Sequence, residues 1–253
     1  MTTATTAPVT TAPTLALDDV TKDFATGTRA LTGVSMDVAR GEFVSVVGPS
    51  GCGKSTLLRL AAGLDTVSYG TLEVDAAVTS FVFQDATLLE WRSAQKNVEL
   101  VGELAGVPAT ERARRAQEAL ALVGLDGFEK QHPRELSGGM RMRVSIARAL
   151  VAEPQLALFD EPFGALDEIT RLKMQTELQR IFQLKQFAAM FITHSISEAV
   201  YLSSRVLVMS GRPGRIVEDI EIPWDYPRPP ELRYSPEFGR IAGHLSQTLE
   251  AHA

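Results

Sequence analysis

Short apolar runs alternate along the chain with longer stretches of helical periodicity. Phe43–Val47 is a continuous apolar run, typical of a strand buried on both faces, whereas residues 15–20 and 34–38 alternate apolar and polar positions, typical of half-exposed strands. Further strands are predicted at residues 71–74, 78–83, 156–159, 188–193 and 205–209. This alternation of strands and helices favours an α/β fold with a largely parallel sheet.

Helices are predicted between these strands, at residues 55–62, 110–123, 140–152, 165–186, 196–203 and 236–250. Gly63 ends the first of them, and Thr110 and Gly124 are the expected start and end of the second. Pro154 closes the third, and a proline-rich stretch after residue 222 predicts a surface segment before the last helix.

Composition narrows the class of protein. The chain has 253 residues, 45% of them hydrophobic, which is enough to bury a core. A net charge of −6 argues against a nucleic-acid partner bound by bulk charge. Cys52 is the single cysteine, so an internal disulfide framework and a cysteine-rich zinc site are excluded.

The chain lacks the features of a membrane-spanning or exported protein. No apolar run approaches the roughly 18 residues that a membrane helix needs. Residues 1–14 are rich in Thr, Ala and Pro, without the basic start and apolar block of a signal peptide. We therefore expect a disordered tail over 1–14 and a cytoplasmic location.

A glycine-rich segment between the predicted strand at 43–47 and the helix at 55–62 has the pattern Gly-x-x-x-x-Gly-Lys-Ser/Thr. Glycines let backbone N–H groups surround a phosphate, and the helix that follows adds its positive N-terminal end. Lys54 is expected to reach the β and γ phosphates, and Ser55 to offer a hydroxyl to Mg²⁺. The predicted phosphate loop consists of Gly48, Pro49, Ser50, Gly51, Cys52, Gly53, Lys54, Ser55 and Thr56.

Two carboxylates follow the apolar run at 156–159. Asp160 stands at the predicted strand end, where it can hold Mg²⁺ through water. Glu161 comes next and could polarise an attacking water. Such strand ends are common in structural roles, but together with a phosphate loop about a hundred residues upstream the pair indicates nucleotide hydrolysis.

A second anion-binding helix start is predicted where the Ser137-Gly138-Gly139 turn opens the helix at 140–152. A nucleotide already held by the first loop has no evident need for it within the same chain. We therefore expect this turn to face the γ phosphate bound by a second copy of the protein. The simpler interpretation, an ordinary cap made by Ser137, is the one that this turn in isolation would favour.

Taken together, these motifs resemble those of the ATP-binding subunit of ABC transporters over residues 15–220. The resemblance implies that Phe24 stacks on adenine, that Gln84 senses Mg²⁺ and contacts a membrane subunit, and that His194 contacts the γ phosphate. It also implies that residues 165–167 contact the second copy. The candidate catalytic residues are then Lys54, Glu161 and His194, and the candidate Mg²⁺ ligands are Ser55, Gln84 and Asp160.

The resemblance also implies an architecture. It predicts a P-loop NTPase (RecA-like) core with an antiparallel β subdomain and a helical signature subdomain at about 88–150. The ATPase domain is expected over 15–222, with a C-terminal extension over 223–253.

Within that family, the sequence at 82–93, 136–141 and 160–167 is similar to the nitrate/sulfonate/taurine importer group. This implies ATP and Mg²⁺ as cofactors, a permease subunit as membrane partner, an indirect link to a solute-binding protein, and a peripheral location on the cytoplasmic side of the plasma (inner) membrane. Glu90, Met142 and Ser195 depart from the group's usual residues, and the 63–84 stretch, which should hold part of an antiparallel hairpin, is short.

Two other functions compete with this interpretation. A non-transport ABC ATPase of the repair type needs a long coiled-coil insertion, and no sustained heptads separate the motifs; a cluster-assembly role is harder to exclude from motifs alone. A P-loop small-molecule kinase would not need the turn at 136–140 or a dimer-dependent rate.

Overall fold

The structure is a computed structural model that describes residues 12–253. Its nine strands in this part of the chain are β1 Leu15–Asp23, β2 Arg29–Val38, β3 Phe43–Val47, β4 Tyr69–Val74, β5 Thr79–Val82, β6 Leu156–Asp160, β7 Ala188–Thr193, β8 Arg205–Met209 and β9 Ile216–Glu221. They form two sheets: an antiparallel sheet in the order β2-β1-β4, and a six-stranded sheet in the order β5-β6-β7-β3-β8-β9.

Seven α-helices connect and cover the sheets in the same described range. They are α1 Lys54–Ala61, α2 Ala94–Leu104, α3 Ala109–Leu122, α4 Gly138–Leu150, α5 Glu168–Lys185, α6 Ile196–Leu202 and α7 Pro236–Ala251. Short 3-10 helices precede α4 and α7, at Pro133–Glu135 and Pro230–Tyr234. None of the helices in residues 12–253 combines the length and apolar character that a bilayer crossing requires.

The buried strand β3 lies inside the larger sheet and contributes to both halves of the core. All five of its residues are buried, and it pairs in parallel with β7 on one side and β8 on the other. Phe43 packs against Phe159 and Phe191 on one face of the sheet. Val44 and Val46 pack on the opposite face, with α1 and the antiparallel sheet. Because both faces are covered, the strand is apolar almost without a break.

Glycines end two helices as expected. Gly63 and Gly124 have φ angles of +67° and +68°, which reverse the chain after α1 and α3. The amide of Leu64 donates to the carbonyl of Arg59, and that of Leu125 to the carbonyl of Leu120. These bonds satisfy carbonyl groups that the helices would otherwise leave unpaired.

Several predicted boundaries were wrong. α3 starts at Ala109, and Pro108 occupies the N-cap position without a side-chain hydrogen bond, so Thr110 lies inside the helix. The Pro108 carbonyl accepts from the Arg112 amide at 3.0 Å, the first hydrogen bond of the helix. α4 starts at Gly138, two residues earlier than predicted. β9 was not predicted: it is a half-exposed antiparallel strand at the sheet edge, with the polar sequence Ile-Val-Glu-Asp-Ile-Glu.

The predicted tail at 1–14 lies mostly outside the described residues, which begin at 12. Thr14, its last residue, is buried and joins the antiparallel sheet. Its amide donates to the Val38 carbonyl, and its carbonyl accepts from the Asp75 amide. Thr14 is therefore part of the folded domain, although the prediction placed it in the tail.

The short 63–84 stretch still completes the antiparallel sheet. β4 pairs with β1 from the Leu15–Val74 pair to the Thr21–Tyr69 pair, and β5 then crosses to the edge of the parallel sheet beside β6. The antiparallel sheet therefore has three strands, with β1 in the centre.

Candidate active site

The phosphate loop runs from the end of β3 to the start of α1 and folds tightly. An added Cβ on Gly48 would lie 2.9 Å from the Cys52 Sγ and 3.0 Å from the Met209 Cβ, so this position requires glycine. Gly51 and Gly53 have φ angles of +74° and +114°, which L side chains rarely adopt. The sequence therefore places glycines where the backbone must turn inward.

Lys54 lies over the centre of this loop. The residue is only 6% exposed, and its Nζ donates to the carbonyls of Gly48 at 2.7 Å and Pro49 at 2.9 Å. An ammonium group fixed at the loop centre, beside the positive end of α1, forms a site for a phosphate chain.

Ser55 and Asp160 come from distant parts of the sequence and meet at the carboxyl edge of the sheet. The Ser55 hydroxyl donates to the Asp160 Oδ1 at 3.1 Å. Burial raises the pKa of Asp160, the neighbouring Glu161 adds to the rise, and the Ser55 hydrogen bond opposes it. A half-buried carboxylate beside a hydroxyl is an all-oxygen donor set, which fits Mg²⁺ bound through few protein ligands and phosphate oxygens.

Glu161 and His194 form a second pair at the same edge. The His194 Nδ1 lies 3.0 Å from the Glu161 Oε2. Glu161 has a positive φ of 44°, and its amide donates to the Ile192 carbonyl on the adjacent strand β7, which fixes the turn. The carboxylate is therefore held by backbone geometry on one side and by an imidazole on the other, as a base that orients a water would need.

Most of these groups line one cleft of about 390 Å³. Phe24 directly follows β1 and lines the cleft on the side of the antiparallel sheet. Its side chain is 38% exposed, and the Lys22 ammonium lies 5.2 Å from its ring centroid. The cleft is lined by Phe24, Thr28, Ala30, Ser50, Gly51, Gly53, Lys54, Ser55, Thr56, Gln84, Glu161 and Arg212. A cleft that is lined by both an exposed aromatic ring and a phosphate loop suits a nucleotide.

The predicted second anion site, the turn at residues 137–139, lies outside this cleft. Ser137 caps α4, its Oγ accepting the Met140 amide at 3.2 Å, and Gly139 packs so closely on Thr170 that an added Cβ would lie 2.7 Å away. Ser137 and Gly138 are exposed. None of the three residues of this turn is among the described residues that line the cleft.

Three cleft residues were not predicted from the sequence: Thr28, Ala30 and Arg212. Arg212 donates from Nε and Nη2 to the Gly51 carbonyl, at 3.0 and 2.8 Å. The one local signal is a basic residue in a Gly-Arg-Pro-Gly turn shortly after a buried strand. That signal points to the site only when β8 is known to lie beside β3.

The residues that depart from the importer group's pattern occupy ordinary structural positions. Met142 is buried in the α4 core, and Ser195 caps α6, its Oγ accepting the Glu198 amide at 3.3 Å. Glu90 forms an exposed ion pair of 3.4 Å with Arg134. None of the three is among the residues that line the cleft in the described part of the chain.

The fold and the cleft define a P-loop nucleotide-binding protein. Residues 31–164 match the family model described as ABC transporter. The chain is 46% identical over 225 residues to the aliphatic sulfonates import ATP-binding protein SsuB 1 of Mesorhizobium japonicum, covering 87% of this chain and 82% of that protein. It is 41% identical over 247 residues to SsuB of Bacillus cereus, covering 94% and 96%.

A solved structure of similar fold is the dimeric ATP-binding cassette MJ0796 in a post-hydrolysis state bound to ADP and Pi. It has a TM-score of 0.74 and 31% identity, covering 83% of this chain and 100% of that one. The chain therefore belongs to the ABC transporter ATP-binding family. It is an ATP-hydrolysing transporter subunit, and the predictions of fold class and family are confirmed.

Proposed function

We propose that the protein energises an importer of small organic anions of the aliphatic sulfonate type, as a peripheral subunit on the cytoplasmic side of the inner membrane. The support for the solute class is the name of two relatives, both sulfonate import ATP-binding proteins, one of which aligns over 94% of this chain. Nitrate and taurine are the alternatives within the same importer group.

In the proposed mechanism, two copies enclose each ATP. Lys54 and the loop amides of one copy hold the phosphates, and the Ser137–Gly139 turn of the other covers the γ phosphate. This step is supported by one observation: Ser137 and Gly138 are exposed and do not line the nucleotide cleft of their own chain. The similar cassette MJ0796 is itself dimeric when bound to ADP and Pi, which supports an assembly of two copies.

In this proposal, the side chains at the carboxyl edge of the larger sheet carry out hydrolysis. Glu161 orients the attacking water and accepts its proton, and His194, 3.0 Å away, holds this carboxylate and contacts the γ phosphate. Ser55, Asp160 and Gln84 would hold Mg²⁺, which neutralises charge on the phosphate oxygens when bound. Loss of the γ phosphate removes the contact shared by the two copies, so the dimer reopens.

The permease is proposed to dock beside Gln84. Three large apolar side chains before and after this residue in the sequence are exposed: Phe83, Trp91 and Leu104, with Trp91 75% exposed. Protein interfaces are enriched in aromatic side chains, so Phe83 and Trp91 are the candidate contacts with the permease. A solute-binding protein would act on the permease from the other side and would not contact this chain.

The solute class is tested by transport. Deleting the gene in the source organism, then supplying either the wild-type gene or Glu161→Gln, separates loss of ATP turnover from loss of the protein. Uptake of a labelled alkanesulfonate should fall on deletion and return only with the wild type. Normal sulfonate uptake together with lost nitrate or taurine uptake would overturn the solute class and leave the ATPase assignment intact.

A further inference from the structure

The hairpin loop between β8 and β9, residues 210–215, lies directly against the phosphate loop. The Gly214 amide donates to the Ala30 carbonyl at 2.9 Å, and the Thr32 amide donates to the Gly214 carbonyl at 3.0 Å. An added Cβ on Gly214 would lie 2.2 Å from the Cys52 carbonyl oxygen. The two loops therefore pack backbone against backbone, and the hairpin loop is wedged between β2 and the nucleotide cleft.

Arg212, in this hairpin loop, lines the cleft and bonds to the phosphate loop. Its Nε and Nη2 donate together to the Gly51 carbonyl, at 3.0 and 2.8 Å. The guanidinium is planar and always charged, so a two-pronged bond of this kind fixes the carbonyl direction better than a single donor does. Gly51 has a positive φ of 74°, and glycine has more backbone freedom than any other residue, so this bond limits the orientations that its carbonyl can take.

The orientation of the Gly51 carbonyl decides where the next amide points. The 51–52 peptide is trans, and the carbonyl and N–H of a trans peptide point in opposite directions. Accordingly, the Cys52 amide faces across the loop and donates to the Pro49 carbonyl at 3.3 Å, the same carbonyl that accepts from the Lys54 Nζ at 2.9 Å. A bound phosphate would replace this carbonyl as the acceptor of both groups. Holding the carbonyl outside the loop thus keeps an N–H donor inside it.

The hairpin loop is itself anchored. The Gly211 amide donates to the His252 carbonyl at 2.7 Å, at the end of α7, and the Ser210 amide closes the loop on the Arg215 carbonyl at 3.0 Å. Arg212 therefore stands on a loop held by the C-terminal helix on one side and by the antiparallel sheet on the other.

We propose that Arg212 is a positioning residue for ATP binding: its guanidinium orients the 51–52 peptide so that the Cys52 amide is presented to the phosphates. The proposal extends the nucleotide site that the family defines and does not depend on the identity of the transported solute. It also gives the loop after β8 a function in the ATPase cycle.

The test uses the purified full-length protein and three variants: Arg212→Ala, Arg212→Lys and the matched control Arg215→Ala. Arg215 is exposed in the same loop, and its side chain makes no hydrogen bond within the described residues. Dissociation constants for ATP are measured by titration with a fluorescent ATP analogue, alongside kcat, KM and the melting temperature.

Arg212→Ala should raise the Kd and KM for ATP roughly fivefold to tenfold, with kcat within about twofold. Arg212→Lys, which keeps the charge but lacks the fork, should also weaken ATP binding, and Arg215→Ala should match the wild type. Full ATP affinity in Arg212→Lys would show that the charge alone acts and would overturn the positioning role. Unchanged Kd in Arg212→Ala, or a lower melting temperature with unchanged KM, would overturn it as well.

Discussion

Two helix starts in this protein carry the glycine-rich turns that favour anions, yet their surroundings differ. α1 begins inside a closed loop, with Lys54 buried and bonded to two loop carbonyls. α4 begins at the surface, where Ser137 caps the helix and its neighbour Gly138 is open to solvent. Both have the partial positive charge of a helix N-terminus.

The difference indicates how the two sites divide the function. The side chains of the first site come from one chain, because β3, β6 and β7 bring Lys54, Asp160, Glu161 and His194 to one edge of the sheet. The second has a donor-rich turn but no cleft of its own among the described residues. We therefore expect variants at the first site to impair nucleotide chemistry directly, and variants at the second to act only where two copies meet.

The largest effect is expected from Glu161→Gln. Removing the base should lower ATP turnover roughly 1,000-fold, while ATP binding remains, because the phosphate loop is untouched. The variant should accumulate as an ATP-bound dimer, measured by size-exclusion chromatography with and without ATP. Glu73→Gln, at an exposed position of β4, is the control and should turn over normally. Hydrolysis at the parental rate in Glu161→Gln would assign the base elsewhere.

The second-largest effect on ATPase activity is expected from Ser137→Arg. A bulky cation at the α4 start should lower ATPase activity roughly 100-fold by blocking closure on the second copy, while the Kd of the monomer for ATP stays unchanged. Ser235→Arg is the matched control, since Ser235 caps α7 through the same hydrogen bond to a backbone amide. ATPase activity equal to that of the control would contradict the shared site.

Phe24→Ala should have the smallest effect. Loss of one partly exposed aromatic face should weaken ATP binding about fivefold, corresponding to about 1 kcal/mol, with kcat little changed. Tyr69→Ala, on the same antiparallel sheet and 67% exposed, should leave the Kd for ATP unaltered. A binding assay with a fluorescent ATP analogue distinguishes the two, and equal Kd values in both variants would remove Phe24 from the nucleotide site.

The buried strands show where sequence reasoning was sufficient. β3, β7 and β8 were predicted to the residue, because strands covered on both faces must be apolar throughout and turn residues flank them. β9 was missed because an edge strand with one solvated face keeps its charged residues, as Glu218 and Asp219 do. The start of α3 was misplaced because Pro108 takes the N-cap position through its backbone carbonyl, whereas the pattern assigned that position to the side chain of Thr110.

The local sequence by itself determined the phosphate loop, the two carboxylates at the end of β6 and the cap at Ser137, since each depends on glycine conformation, strand ends or a single cap within a few residues. Only the tertiary structure decided that Arg212 reaches Gly51, that Glu161 meets His194, and that Ser137 lies outside its own cleft. Those contacts depend on strand order. Strand order is set by the packing of the whole sheet, so it cannot be predicted from a short segment of sequence.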